Sequence, residues 1–365
     1  MILIIYNKDM FLKALSKYNI AFIIVVSYVE FFLLFVCLLL YPFLFLLNNS
    51  IKNDISNIIK NYCLSSISYL SKIFLCTSFY VNDLDLYTEI IKNRNCIIIQ
   101  NHLTELDSFV FFNTVNSICD NFNLKTSIVL REKTKLLVPS YGFLSLFGND
   151  IYLEKNFEND KNVLSKNTKS DIMYMFPEGT CFTQVNKKKS DDYVLNNNLF
   201  KYKYVLYPRT RGLYNILKAN PHINYIYDFT VCFDTIKKQD FGKKFIIANY
   251  FERHFVPRHL FIQIKKYSII DENLSSEKKT ENFLKKVYVF KDKFIKEFDP
   301  DINCFIPIKY NYLNGFLSFL FIFIMGIISF NLFFNYKIIR YFYLIELIIY
   351  FGYYFIKQID NFKIK

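Results

Sequence analysis

The chain has 365 residues, 53% of them hydrophobic and 19% aromatic, with 42 Phe, 29 Tyr, no Trp and a formal net charge of +13. The length holds one large domain with membrane segments beside it, and the apolar share is high for a soluble enzyme. A basic balance suits nucleic acid or an anionic membrane surface. Long apolar runs are present, whereas a recognition helix, a zinc pattern and a single-strand stacking motif are not, so a bilayer is the expected partner and nucleic acid is set aside.

In chain order, Met1 to Tyr18 is short and carries lysines. Ile20 to Leu47 follows with Glu30 as its only charge. As a helix it would be about 42 Å long, more than the roughly 30 Å hydrocarbon core, so it spans with tilt, bends near Pro42, or splits at Glu30. It is too long for a signal-peptide apolar region and no small-residue cleavage site follows it, so a retained anchor is expected. Asn48 to Lys60 is polar, and Cys63 to Val81 is mixed, with serines throughout, which predicts an interfacial helix.

From Asn82 short apolar runs alternate with helix-length polar stretches. Asn95–Gln100, Thr126–Leu130, Ile151–Leu153 and Asp171–Phe176 read as strands, with helices at Ser108–Ser117 and Phe157–Asn167 between them. That alternation predicts an α/β domain around a largely parallel sheet with flanking helices. Tyr202–Tyr207, Tyr225–Phe233, Phe245–Tyr250 and Leu260–Tyr267 read as later strands, and Asp271 to Pro300 as a charged helix. Tyr312 to Phe334 is apolar without a charge, and after "NYKIIR" comes Tyr341 to Ile356 with Glu346 as its one acid. This predicts a C-terminal transmembrane hairpin. The domains expected are therefore a membrane anchor with an interfacial segment over 1–81, a catalytic domain over 82–300 and the hairpin over 301–365. No internal repeat is evident.

The chemistry gathers at "CIIIQNHLTELD", Cys96 to Asp107. Of the four histidines, His102 is the one with a strand behind it and an acid close after it. Open α/β sheets place ligands at the carboxyl ends of their strands. A neutral imidazole takes a proton from an alcohol, and a carboxylate on its other nitrogen fixes the tautomer. Five positions along a continuous helix turn the side chains about 140° apart. His102 and Asp107 therefore meet only if His102 lies in the loop and Asp107 in the first turn. Thr104 and Asp107 form a T-x-x-D box, a helix start in which Asp107 is either a cap partner or the dyad acid. The second stretch, "MYMFPEGT", is a strand ending in Pro177, Glu178, Gly179 and Thr180. Gly179 permits close backbone approach, and exposed N–H groups with the Thr180 hydroxyl can hold a phosphate. Glu178 either binds a glycerol hydroxyl or holds a basic side chain. The ordinary alternative is a turn after a strand.

"NHLTELD" and "FPEGT", in this order, resemble the first and third motifs of the glycerolipid acyltransferases, the lysophosphatidic-acid and lysophospholipid acyltransferases. "FGNDIYLEK" between them resembles the second motif, with Lys155 where the family usually has arginine. Cys181 stands where arginine commonly follows the threonine. Both departures weaken a bidentate phosphate clamp and leave the headgroup open. "YKYVLYPRTRGL" resembles the fourth motif of the branch that contains lysocardiolipin acyltransferase, through Pro208, Arg209 and Thr210. "IYDFTVCF" and "VPRHLFIQIKKY" resemble its later strands. The resemblance covers about Asn82 to Asp299. It implies direct transfer from acyl-CoA to a lysophospholipid hydroxyl, without an acyl-enzyme. His102 is the base, Asp107 its orienter, and backbone N–H groups stabilise the oxyanion. Asn101, Lys155, Glu178, Gly179, Thr180, Pro208 and Arg209 would place the acceptor. The acceptor implied is 1-acyl-sn-glycerol-3-phosphate, with lysocardiolipin and lysophosphatidylinositol as alternatives, in phospholipid biosynthesis or remodelling. The site would face the cytosol from a membrane such as the endoplasmic reticulum, where acyl-CoA is found. Acyl-CoA is a co-substrate, and no metal or other cofactor is implied. The oligomeric state is not legible.

The eight cysteines form no C-x-x-C pair, so free thiols are expected. Phe109–Phe112 and Leu136–Phe147 line an acyl tunnel, face the bilayer, or serve as core. His222, His254 and His259 read as loop and surface residues. A serine hydrolase would need a G-x-S-x-G elbow, which this chain lacks. A phospholipid transacylase could use the same dyad, and a silent membrane scaffold could keep the fold without the reaction.

Overall fold

A computed structural model describes residues 34–40, 43, 46–75, 78–104, 107–118, 124–132, 134, 149–154, 156–165, 168–234, 259–299 and 304–348. In chain order the elements are helix α1 (Asn49–Leu75), strand β1 (Ser78–Val81), α2 (Leu84–Asn93), β2 (Cys96–Gln100), α3 (Ser108–Ile118), β3 (Thr126–Arg131), β4 (Ile151–Leu153), α4 (Phe157–Leu164) and β5 (Ile172–Met175). They continue with α5 (Gln184–Asn196), α6 (Thr210–Ala219), β6 (Tyr225–Phe233), β7 (His259–Ser268), α7 (Glu277–Glu297), β8 (Ile306–Pro307) and α8 (Tyr312–Asn335).

The eight strands form one sheet in the order β4-β3-β5-β2-β6-β7-β1-β8. β4, β3, β5, β2 and β6 are mutually parallel, as are β1 and β7, while β7 runs antiparallel to β6 and β8 to β1. β1 and β8 thus join the sheet from either side of the 82–300 segment. A parallel sheet buried on both faces selects near-continuous apolar strands, and all five residues of β2 are buried. Ile98, Ile128, Tyr174 and Phe229 form one core with α1, α2 and α3. Ile97, Ile99, Met173, Met175 and Ile226 form the other, with α6 and α7. Local signals agree with the boundaries: Asp83, Thr183 and Ser276 each accept a hydrogen bond from a backbone N–H in the first turn of α2, α5 and α7.

Two expectations change. The mixed segment 63–81 is not one interfacial helix; α1 begins at Asn49 and the segment ends as β1. Polar residues along α1 are used internally. Lys60 is buried against Asp150 at 2.5 Å and donates to the Thr126 carbonyl, and Asn61 donates to that of Leu124. Ser56 and Ser71 satisfy their hydroxyls on carbonyls one helical turn back. The strand expected at 202–207 is an irregular loop. Asp292 accepts from the Lys203 and Tyr204 N–H groups, Glu178 from Leu206 and Ser190 from Tyr207, so side chains replace a ladder. The strand expected at 245–250 lies outside the described residues.

α8 has a mean hydropathy of 2.4 over its most apolar stretch. Its length of about 36 Å is enough to cross a bilayer. Most of its large side chains face outward, while Gly315, Ser318, Ile322, Gly326 and Ser329 are buried at helical spacing. α8 packs on α1. A Cβ at Gly315 would lie 2.9 Å from that of Tyr69, so glycine permits the approach. Residues 34–40 and 337–348 are helical, and Ser329 donates to the Phe35 carbonyl and meets the Tyr343 hydroxyl. Most of the expected span Ile20–Leu47, and the second arm beyond residue 348, lie outside the described residues.

A buried ion pair and a buried carboxyl group hold the sheet to its surroundings. Lys291 of α7 is fully buried, pairs with Asp228 of β6 and donates to the Phe229 carbonyl at 2.7 Å. Burial pushes the Asp228 carboxyl up and the Lys291 amine down, against their mutual attraction. Glu178, after β5, accepts from the His102 N–H at 3.1 Å and from the Leu206 N–H at 3.3 Å. One carboxylate so ties the loops after β2 and β5 to the 202–209 loop. Burial raises its pKa from 4.5 to about 7, against those hydrogen bonds and the nearby His102 and Lys291 charges.

Removing one member of a buried pair strands the other. Lys291→Met is expected to cost about 3–5 kcal/mol in denaturant unfolding, and adding Asp228→Leu should recover most of that loss. For Glu178 the folded state keeps a proton that the unfolded chain releases near pH 4.5. Its contribution is complete below that pH and is lost as pH rises to about 7. Thermal melts across this range should show a decline worth roughly 3 kcal/mol in the wild type that Glu178→Gln lacks, the variant carrying instead a constant offset.

Candidate active site

The parallel register sets Ile99 of β2 beside Met175 of β5, so both chains leave the sheet at the same edge. His102 lies two residues beyond β2, in the loop before α3, and Asp107 opens the first turn. His102 Nδ1 is 3.1 Å from Asp107 Oδ2. The same oxygen accepts from the Thr104 N–H at 2.9 Å, and Oδ1 accepts from the Thr104 hydroxyl at 3.2 Å. The two readings of the T-x-x-D box are therefore both realised: one buried carboxylate caps the turn and orients the imidazole. The ring stacks on Phe176, with centroids 4.2 Å apart.

The loop after β5 supplies the other side. Phe182 donates its N–H to the His102 carbonyl at 2.7 Å, which places the preceding Cys181 against the ring. Cys181 Sγ is 3.1 Å from His102 Nε2. Asn186 of α5 donates from one amide nitrogen to the Cys181 carbonyl and the Thr180 hydroxyl. Burial disfavours a charged imidazole here, but the Cys181 sulfur and the Asp107 carboxylate outweigh it and hold His102 up at about 10.

Gly179 has φ +66°, a left-handed conformation suited to glycine. A Cβ there would lie 3.3 Å from Arg209 Cδ and Nε, so the Arg209 side chain lies over the turn. Arg209 is exposed, and its N–H donates to the Pro177 carbonyl at 2.7 Å, while Pro208 beside it is buried.

The sequence-predicted residues thus divide. His102, Asp107, Gly179, Thr180 and Arg209 come together. Glu178 is at the site, but both its oxygens accept backbone N–H groups, so neither of the roles expected for it is seen. Asn101 is fully buried and uses its amide on the Val231 N–H and carbonyl of β6, which makes it a brace between strands. Lys155 and the stretch 136–147 lie outside the described residues. Two residues were missed. Cys181 was noted only as a lost cation, although its place directly after the turn was visible. Arg131, exposed at the end of β3, is within electrostatic reach of both Cys181 and Arg209. Its strand pairs with β5, a neighbour relation that sequence order hides. His259, read as a surface residue, pairs with Asp234 at 2.6 Å where β7 returns beside β6. Among the described residues no cluster of three or more His, Cys, Asp or Glu is placed to hold a metal.

Residues 83–234 match the protein family described as Acyltransferase. The chain is 25% identical over 194 residues to lysocardiolipin acyltransferase 1 of Danio rerio, covering 49% of this chain and 46% of that one. It is 32% identical over 147 residues to lysophosphatidylinositol acyltransferase 10 of Caenorhabditis elegans, covering 38% and 37%. It is 26% identical over 152 residues to 1-acyl-sn-glycerol-3-phosphate acyltransferase 3 of Arabidopsis thaliana, covering 39% of each. The matched stretches span less than half the length of these relatives. The family match over 83–234 contains the His102–Asp107 pair and the Glu178–Cys181 turn, so the similarity to acyltransferases covers the residues of this site.

Proposed function

We propose that the protein is a membrane-bound O-acyltransferase that moves an acyl chain from acyl-CoA to the hydroxyl of a lysophospholipid. The carrying observation is the imidazole at the carboxyl edge of the central strand, with a buried carboxylate on Nδ1 and the cationic residues Arg131 and Arg209 nearby. His102 in its neutral form, which its raised pKa of about 10 makes the minor form at neutral pH, takes the acceptor hydroxyl's proton, and Asp107 holds the tautomer and stabilises the imidazolium that forms. Arg131 and Arg209 receive the acceptor's phosphate, the first of them in place of the cation lost at Cys181. The apolar α8 keeps the domain at a bilayer, where a lysolipid resides, and the cytosolic side of the endoplasmic reticulum supplies acyl-CoA.

The acceptor we propose is 1-acyl-sn-glycerol-3-phosphate, giving phosphatidic acid. A second reading is a lysocardiolipin or lysophosphatidylinositol acceptor, favoured by the names of the relatives in fish and nematode. Both readings need a phosphate clamp and a general base, and they differ in what lies beyond the phosphate.

Labelled acyl-CoA incubated with a panel of lysolipids tests the reading. Incorporation into 1-acyl-sn-glycerol-3-phosphate above the others supports the first acceptor; incorporation only from a phospholipid donor would make the protein a transacylase. His102→Ala is expected to lower kcat/KM by about 10²–10⁴-fold with the thermal midpoint little changed. Transfer that survives this change removes the dyad from the mechanism. Asp107→Asn should lower kcat while the acceptor KM stays near its wild-type value. By contrast, Arg131→Ala and Arg209→Ala should each raise the acceptor KM about tenfold or more, as the loss of one charge-assisted contact does. Unchanged KM in both would place the phosphate elsewhere.

A further inference from the structure

We propose that a lysine-rich groove between α5 and the 201–204 loop binds the phosphorylated nucleotide end of the acyl-CoA donor. The assignment rests on the acyl-CoA donor of the preceding reading and adds where the donor's charged end is held.

The groove has a volume of about 560 Å³, and Phe182 lines it. The N–H of Phe182 is the one that bonds to the His102 carbonyl, so the groove begins beside the base. Both walls lead back to the same turn. α5 follows the 176–181 turn directly, capped by Thr183, and the 201–204 loop runs on to Arg209, which lies over Gly179. The walls are also fastened in place. Ser190 of α5 accepts from the Tyr207 N–H at 2.9 Å, and Asp292 of α7 accepts from the Lys203 N–H at 2.8 Å. A groove held in shape this way costs a ligand little ordering. Four lysines line it, Lys187 and Lys188 on one wall and Lys201 and Lys203 on the other, against two aspartates. Asp191 pairs with both Lys187 and Lys201, the latter at 3.1 Å, so one carboxylate draws two ammonium groups together and leaves net positive charge. Lys188 and Lys203 are exposed on opposite walls. Tyr204 and Leu195 add an aromatic and an aliphatic surface beside them, suited to the face of a purine.

Distance decides which phosphates this groove receives. In a lysolipid the phosphate is a few bonds from the reacting hydroxyl, so its cations must stand close to His102, as Arg131 and Arg209 do. In acyl-CoA the pantetheine arm separates the thioester from the diphosphate. The arm is about as long as four extended residues, roughly 14 Å. Lys188 is six residues beyond Phe182, roughly 9 Å along α5 before the length of its own side chain is added. The groove's cations therefore lie at the reach of the donor's arm and beyond that of the acceptor's glycerol. Two phosphate-bearing substrates are thus told apart by how far their charge stands from the bond that changes, with arginines close to the base for one and lysines at a distance for the other.

The test uses the purified full chain in detergent, with labelled long-chain acyl-CoA and 1-acyl-sn-glycerol-3-phosphate, beside equilibrium binding of adenosine 3′,5′-bisphosphate, which carries no acyl group. In the wild type this nucleotide is expected to bind and to compete with acyl-CoA but not with the lysolipid. The double variant Lys188→Glu/Lys203→Glu should raise the donor KM about tenfold or more, hold kcat and the acceptor KM within about twofold, and weaken nucleotide binding by the same factor as the donor KM. Removing the 3′-phosphate from the donor should raise the wild-type KM and change that of the double variant much less, because the contact is already lost. Lys189→Glu, on the same helix but outside the groove, should behave as the wild type. An unchanged donor KM in the double variant overturns the proposal, as does a rise confined to the acceptor KM, which would give the groove to the lysolipid headgroup. A double variant with wild-type donor KM whose turnover no longer responds to anionic lipid in the micelle overturns it too, and makes the groove a membrane contact. Failure of the nucleotide to compete in the wild type needs no variant and overturns it even if the double variant does not fold. Nucleotide binding that the double variant loses, without any transfer from acyl-CoA, would uphold the groove and overturn the donor reading. Transfer from acyl-CoA with nucleotide binding untouched by the variant would uphold the donor and overturn the groove.

Discussion

The parallel pairing of β2 with β5 is the constraint on which the site depends. Two strands separated by more than seventy positions in sequence (Cys96 pairs with Ile172) end level with one another. Everything chemical follows within a few residues of that edge: His102 after β2, then the 176–181 turn after β5. The short hydrogen bond from the Phe182 N–H to the His102 carbonyl continues the register past the strands. Glu178 closes the assembly by bonding to both the β2 loop and the 202–209 loop, so one buried carboxylate does the work that backbone ladders do inside the sheet.

Much of this was legible in the residues. The runs expected as strands at 95–100, 126–130, 151–153 and 171–176 each contain one, at 96–100, 126–131, 151–153 and 172–175, because largely buried parallel strands leave little polar face to confuse the pattern. The T-x-x-D box located the helix start and the dyad together. What could not be read were the places where a polar side chain replaces the expected partner. The 202–207 stretch has strand composition, yet Asp292, Glu178 and Ser190 take its N–H groups. The polar 48–60 stretch and the mixed 63–81 stretch predict an interfacial helix, yet Lys60 and Asn61 of α1 reach carbonyls and a carboxylate distant in sequence. Asn101 stood next to the histidine and looked functional, while its partner, Val231, was set by sheet order alone.

The cationic arrangement carries a similar lesson. Reading along the chain, Cys181 was a vacancy where the resemblance expects arginine, and Lys155 a weaker cation. Across the sheet, Arg131 arrives from β3 and Arg209 from the loop before α6, so positive charge is gathered from separate elements. Motif-by-motif comparison scores such a site as degraded. Spatially, Arg131 and Arg209 stand near the turn at which Cys181 replaces the expected arginine.

The contact between that sulfur and Nε2 also gives the protein a chemical liability. An electrophile or oxidant small enough to enter the edge of the sheet would attach at Cys181 and stand directly on the base, whatever part the thiol plays in turnover. Relatives that carry arginine at the corresponding place offer no such handle. A cysteine in place of the expected arginine therefore makes this site addressable by thiol-directed reagents.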